Sequence, residues 1–260
     1  MSHFQDAILV DEHPREAVAD GVLLERRSLL RISAATAVAG LATLSAPGCA
    51  TTTRKRLEGR KGLESGSLDL EGFLEETYPR AKQFVASGAK QEEAYLMAVG
   101  ELMARLNTAD LTPKQTQTRM KAFAERHESE DTRFEMWVVL FALEPGKGFS
   151  HHDHRDYNGL ILGVEGEARV HNFDVVGPDP VPPKDTTFQI RQTRDDRIYP
   201  GRFSTLGTTR ENIHDLVAGP DGATVLDVFT FLNKDANSHF LKVDPKPRDA
   251  ERGIFDASWA

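Results

Sequence analysis

His152 and His154 stand one residue apart, and a third histidine, His214, lies downstream. Alternate side chains of an extended strand face the same way. His152 and His154 therefore point together, while His151 and Asp153 turn to the opposite face. Two imidazoles from one strand and a third from a later strand make a facial set of nitrogen donors. Such a set suits Fe(II), Zn(II), Cu(II) or Ni(II) and leaves coordination places open.

The elements around the pair are spelled out by glycine and proline. Pro145 and Gly146 break the apolar run 134–143, so a turn delivers the chain into the His-bearing strand. Gly159 and Gly166 bracket the next run, Leu160 to Glu165, after which polar and apolar residues alternate from Glu167 to Val176. Strand, turn and strand at this density argue for an antiparallel barrel or double-sheet roll.

With these residues in place the sequence resembles the cupin superfamily, and within it the thiol dioxygenases. The likeness is to cysteine dioxygenase and to the cysteamine dioxygenase and plant cysteine oxidase group. Typical cupins carry a fourth ligand, a Glu, four or five residues after the second His; Asn158 and Gly159 hold those places here. Three retained His without the carboxylate is the thiol dioxygenase pattern. Asn212-Ile213-His214, followed by the run Ala223 to Phe229, is similar to the third-ligand strand and the Leu-Asp-Val strand of the cysteamine dioxygenase group. The resemblance spans about Phe134 to Phe231. It implies an all-β cupin, a double-stranded β-helix or jelly-roll barrel, with an N-terminal helical segment. It also implies Fe(II) held by His152, His154 and His214, with a small thiol (cysteine, cysteamine, 3-mercaptopropionate or an N-terminal cysteine peptide) and O2 as reactants.

The chemistry implied is direct. Three neutral imidazoles leave Fe(II) its full double positive charge, which favours a thiolate by lowering the thiol's pKa. Transfer of two oxygen atoms to sulfur then gives a sulfinic acid. There are departures from the family. Gly159 stands where animal cysteine dioxygenases carry the Cys that crosslinks to Tyr, and Asp227, Phe229 and Phe231 stand where those enzymes have Ser, His and Tyr. Arg126 is the candidate for the arginine that grips the cysteine carboxylate.

Other residues have two readings. Asp227 is either an acceptor that orients a His or binds a substrate amine, or a polar residue on the solvent face of its strand. Tyr157 either lines the pocket mouth in a catalytic role or packs a loop. His171 and Arg155 read as exterior, and His3, His13, His127 and His239 as structural or surface. His151, Asp153 and His214 spell a rival triad of two His and one carboxylate. Oxygenases using 2-oxoglutarate add a basic residue soon after the distal His; here the next ones are Lys234 and Arg248. The three-His set therefore ranks first. Two further functional classes compete with the dioxygenase, another metal-dependent cupin enzyme and a non-enzymatic, lipid-tethered cupin sensor or binding protein.

The segment 1–48 is read as a targeting sequence and set aside from the fold. Arg26-Arg27-Ser28-Leu29-Leu30-Arg31 opens an Ala-rich run that resembles a twin-arginine export signal. The run is shorter than the roughly 20 residues of a membrane span and ends at Ala46-Pro47-Gly48-Cys49, similar to a lipoprotein processing site. Cys49 is the sole Cys of the 260 residues, so no intramolecular disulfide is possible. The expectation is a lipid anchor at Cys49 and a tether over 49–66. The protein would then be exported and held on the periplasmic side of a bacterial envelope membrane.

A net charge of −8, with no basic stripe, excludes nucleic acid as an expected partner. Oligomeric state is not fixed by the sequence. Residues 67–126 read as helical and as packing on the barrel, from the spacing of Leu70, Phe73, Leu74 and Tyr78 and of Leu96, Val99, Leu102, Met103 and Leu106. Thr112-Pro113 is the start signal of a third helix. The barrel is expected over 127–245, with strands near 188–190, 202–206, 213–218, 224–231 and 239–243. The proline-rich stretch 176–186 reads as a surface loop lying over the pocket. The tail 246–260 reads as irregular, with Phe255 and Trp259 docking on the domain.

Overall fold

The structure is a computed structural model, and it describes residues 66–109, 111–127, 135–182, 187–233 and 235–260. The signal-like segment, Cys49 and its tether lie outside the described residues.

Among the described residues three helices come first: α1 (Leu70–Ala86), α2 (Glu92–Met103) and α3 (Pro113–His127). Asp69 caps α1 by accepting from the Gly72 N–H at 2.7 Å. At α3, the Gln115 N–H donates to the Thr112 hydroxyl, which itself donates to the Gln115 side chain. Thr112 is thus the N-cap, with Pro113 at the first helical position. The stripes expected to face the barrel are the buried ones. Leu70, Phe73, Leu74, Val99, Met103, Met120 and Phe123 join Met136, Val138, Leu160, Leu162, Leu226 and Val228 of the sheet in one core.

Eight strands follow: β1 (Met136–Leu143), β2 (Gly148–Asp153), β3 (Tyr157–Val176), β4 (Phe188–Ile198), β5 (Phe203–Leu206), β6 (Ile213–Phe231), β7 (Leu241–Val243) and β8 (Ile254–Trp259). All the pairings between them are antiparallel. Two very long strands, β3 and β6, pair along their length and belong to two leaves. In the first leaf the order is β1, the second half of β6, the first half of β3, then β5. In the second it is β2, the first half of β6, the second half of β3, then β4, β8 and β7. The bridge His152–Phe240 brings β7's end back to β2, so the second leaf closes into a ring. Phe173, Ile190, Ile213, Leu241, Ala257 and Trp259 form a core on one face of that ring. On its other face Val170 and Leu216 meet Ile161 and Val225 of the first leaf. The fold is all-β with an N-terminal helical segment.

Three expectations change. Gly159 and Gly166 do not both end strands, since β3 runs through each of them. The bend comes at register shifts near Glu165 and Gly166, where Gly166 takes φ +64. Likewise 213–218 and 224–231 are one strand, bent where Gly222 takes φ +82. The segment 246–260 is not irregular, because β8 pairs with β4 and β7 and buries Ile254, Ala257 and Trp259. Its short alternating pattern is masked in the sequence by the charges before it. Trp259→Ala is accordingly expected to destabilise the protein by about 3–5 kcal/mol, read as a lower urea midpoint at unchanged slope. A dispensable tail would leave the midpoint where it was.

Candidate metal centre

Register explains why the imidazoles meet. His152 on β2 sits directly opposite His214 on β6, so both side chains leave the sheet on the same face. His154, just past β2, donates its backbone N–H to the Asn212 carbonyl, which sets it diagonally across from His214. The Nε2 atoms of His214 and His152 lie 2.8 Å apart, and those of His154 and His214 3.2 Å. All three rings are buried, and their ligand atoms fall within 4.8 Å of one another. A divalent ion about 2.1 Å from each nitrogen holds cis nitrogens about 3.0 Å apart, and the two separations to His214, 2.8 and 3.2 Å, match that spacing.

The rings are prepared to be neutral. His152 Nδ1 lies 2.8 Å from the Ser150 carbonyl, the position from which an Nδ1–H donates and leaves Nε2 with a free lone pair. Burial lowers the pKa of His152 and drives those of His154 and His214 well below the ordinary value, with the neighbouring imidazoles adding to the effect. For a group whose folded pKa is depressed in this way, the neutral form is native and the unfolded chain takes up the proton first. Stability is then complete above pH about 6.5 and falls as pH drops below it. The expected slope is about 1.4 kcal/mol per pH unit for each imidazole until its folded pKa is reached. Urea unfolding of metal-free protein between pH 7.5 and 5.5 should show that loss, and a flat profile would contradict neutral burial.

The group contains no carboxylate among the described residues. Asp153 turns to the opposite face. Its carboxylate accepts the His239 backbone N–H at 2.6 Å and lies 3.2 Å from the His239 ring and 3.5 Å from the Arg155 Nε. His151 pairs instead with Asp215 at 3.3 Å. The triad of His151, Asp153 and His214 therefore does not converge. Gly159 occupies the inward position opposite Phe229, and a Cβ there would lie 3.2 Å from His154 Cε1. Asn158 faces the helices and donates to Glu92 at 3.0 Å.

The remaining candidates scatter. Asp227 is buried on the inner face, opposite Ile161, so a solvent-face position is ruled out. Tyr157 is buried rather than at a mouth; its ring stacks on His154 with centroids 4.2 Å apart, and its hydroxyl hydrogen-bonds the Ser238 hydroxyl. Arg126 lies on the exposed helical surface paired with Glu71, not beside the imidazoles. The Pro-rich loop is tied down by Arg155, which donates to Asp179 at 3.0 Å and to the Pro180 carbonyl at 3.3 Å. His171 meets Asp215 at 2.7 Å, on the face opposite the imidazoles.

Sequence reasoning missed three residues. Asn212 donates its amide to the His154 carbonyl at 2.7 Å and to the Thr208 carbonyl at 2.9 Å, bolting the two ligand-bearing segments together. Asn172 is fully buried directly opposite His214, and Ser204 is buried opposite Ile161. A polar residue at the inward parity of an otherwise apolar run, as in Val170-x-Asn172, was the available signal.

No protein-family model matches the chain, and no curated protein matches it. Among solved structures it is similar to the coconut allergen cocosin, at 15% identity over 41% of this chain and 24% of that one, with TM-score 0.32. It is similar to a sugar phosphate isomerase from a cupin superfamily from Silicibacter pomeroyi, at 18% identity over 37% of this chain and 50% of that one, with TM-score 0.27. An uncharacterized conserved protein with a double-stranded β-helix domain from Klebsiella pneumoniae matches at 16% identity over 40% and 72%, with TM-score 0.29. The matched stretch spans about a quarter of the cocosin chain. Likeness at these TM-scores carries no argument, and the fold rests on strand order and register. On those grounds the chain is an all-β antiparallel roll of two leaves behind three helices, and its interior holds three buried imidazoles whose nitrogens could share one divalent ion.

Proposed function

We propose that this chain is a cupin-type, non-haem Fe(II) thiol dioxygenase that converts a small thiol to its sulfinic acid. The observation that carries the reading is the donor set: three buried imidazoles with a glycine, not a carboxylate, at the inward position beside them. When bound, Fe(II) would supply open coordination places for a thiolate and for O2. The imidazoles add no charge, so the ion's attraction is kept for anionic sulfur. Both oxygen atoms go to sulfur, which is the sole reductant, so neither 2-oxoglutarate nor another electron donor is required.

The chain's own residues narrow the substrate. Arg126 is engaged by Glu71 on the exposed helical surface, so the carboxylate grip expected of it is not supplied there. Asp227, buried two residues before Phe229 on the same strand, is the acidic residue we assign to attract an ammonium. Tyr157 and Phe229, whose ring centroids lie 4.2 and 6.2 Å from that of His154, keep water from that side of the site. The reading therefore favours an amine-bearing thiol over one recognised by its carboxylate.

An oxygen electrode with Fe(II)-loaded protein and a panel of thiols tests this. The expected result is thiol-dependent O2 uptake in the absence of 2-oxoglutarate, matched mole for mole by sulfinate. Iron retained without uptake on any thiol would favour another metal-dependent cupin enzyme or a binding protein.

A further inference from the structure

The three imidazoles are not held alike. His152 has the Ser150 carbonyl against its Nδ1, whereas the Nδ1 atoms of His154 and His214 are buried with no hydrogen-bond partner among the described residues. A metal-binding imidazole normally has its ring orientation fixed by what its other nitrogen touches. His154 lacks that device and must be oriented otherwise.

Its surroundings show how. Tyr157 lies against the His154 ring with centroids 4.2 Å apart and planes 20° from parallel. Near the other ring edge, a Cβ on Gly159 would come within 3.2 Å of Cε1 and 3.5 Å of Nδ1, so any side chain there would press on the imidazole. Phe229 closes a third side at 6.2 Å and also meets the Tyr157 ring edge-on at 5.8 Å. The Tyr157 hydroxyl is hydrogen-bonded to Ser238, in the segment leading to Phe240, whose ring stands 5.7 Å from His152. One tyrosine thereby links the supports of two of the three donors.

We propose that Tyr157 is a positioning residue, whose buried ring fixes the plane of His154 by stacking and so sets the donor geometry. The phenol is not a proton donor to substrate. This rests on the reading of His152, His154 and His214 as metal ligands. It assigns Tyr157 a task that an aromatic ring of any kind performs and an aliphatic side chain does not.

The test compares Co(II) affinity by chelator competition, and the visible spectrum of the bound Co(II), in wild type, Tyr157→Phe and Tyr157→Leu, each referred to folded protein. Tyr157→Phe keeps the stacked ring and is expected to stay within about threefold of wild type. Tyr157→Leu is expected to lose about 10–100-fold, the range for removing a group that orients a metal-binding His, with a changed Co(II) spectrum. A Leu variant with wild-type affinity and spectrum would overturn the proposal, and so would a Phe variant as weak as Leu. Should Leu not fold, proton NMR of metal-free wild type decides. Stacking requires the His154 ring protons to be shifted upfield by the Tyr157 ring, and unshifted protons would overturn it. Wild type that binds no Co(II) at all would remove the ligand reading and this proposal together, an outcome distinct from a Leu-specific loss.

Discussion

Replacing His214 by Ala is expected to lower affinity for Fe(II) or Co(II) by at least about a hundredfold. The basis is that structural zinc sites bind with roughly 10–16 kcal/mol shared over four ligands, or about 3 kcal/mol for each donor. The nitrogen of His214 is the one that stands close to both others, at 2.8 and 3.2 Å. Its removal leaves two donors on one short segment, which cannot cap a face of an ion. His154→Ala should behave in the same way, while Asp153→Ala should leave binding much closer to wild type because its carboxylate turns toward His239. The opposite ranking, with Asp153 essential and His154 dispensable, would restore the two-His-one-carboxylate set. Equilibrium binding in a chelator competition, with circular dichroism confirming the fold, reads the difference.

Gly159→Val should weaken metal binding too, by less and for a different reason. The backbone there is ordinary strand and needs no glycine for its torsion angles, since Gly159 is absent from the positive-φ glycines. What forbids a side chain is the His154 ring, 3.2 Å from where a Cβ would sit. The valine methyl groups would push the imidazole off its position, with an overpacking cost of about 1–3 kcal/mol and a loss of metal affinity of roughly tenfold or more. Gly159→Ala should show a smaller effect of the same sign. If Val binds metal as wild type does, the glycine is a strand residue of convenience and the close approach has no consequence.

That glycine shows where sequence reasoning succeeds and where it stops. The parity of His152 and His154 is legible, because alternation along a strand is a local property. Their meeting with His214 follows only once β2 and β6 are paired, and register between distant strands is written in no single segment. Gly159 and Gly166 look alike as letters. One is there for a neighbouring ring and the other for a left-handed backbone at a bend. The helical stripes are readable from spacing, since apolar residues recurring as Leu70, Phe73 and Leu74 do fall on one face of a helix, and all three are buried.

The misreadings have physical causes as well. Arg126 is attractive for its distance in sequence from the first strand, but α3 packs on β1 from outside and turns that arginine toward Glu71. The C-terminal strand escapes a sequence reading because it completes a ring begun far upstream, at β2. Only the presence of β4 and β7 gives Ile254, Ala257 and Trp259 something to cover. Tyr157 reads in sequence either as lining a pocket mouth or as packing a loop, and its neighbours leave it 5% exposed.

Metal analysis of protein purified without nickel affinity chromatography, with and without the His214→Ala substitution, tests the central claim most directly. The account predicts one divalent ion per chain, removable by chelator, restored by Fe(II), and lost in the variant. No retained or reconstituted ion in the wild-type protein, or full occupancy without the His214 imidazole, would contradict it.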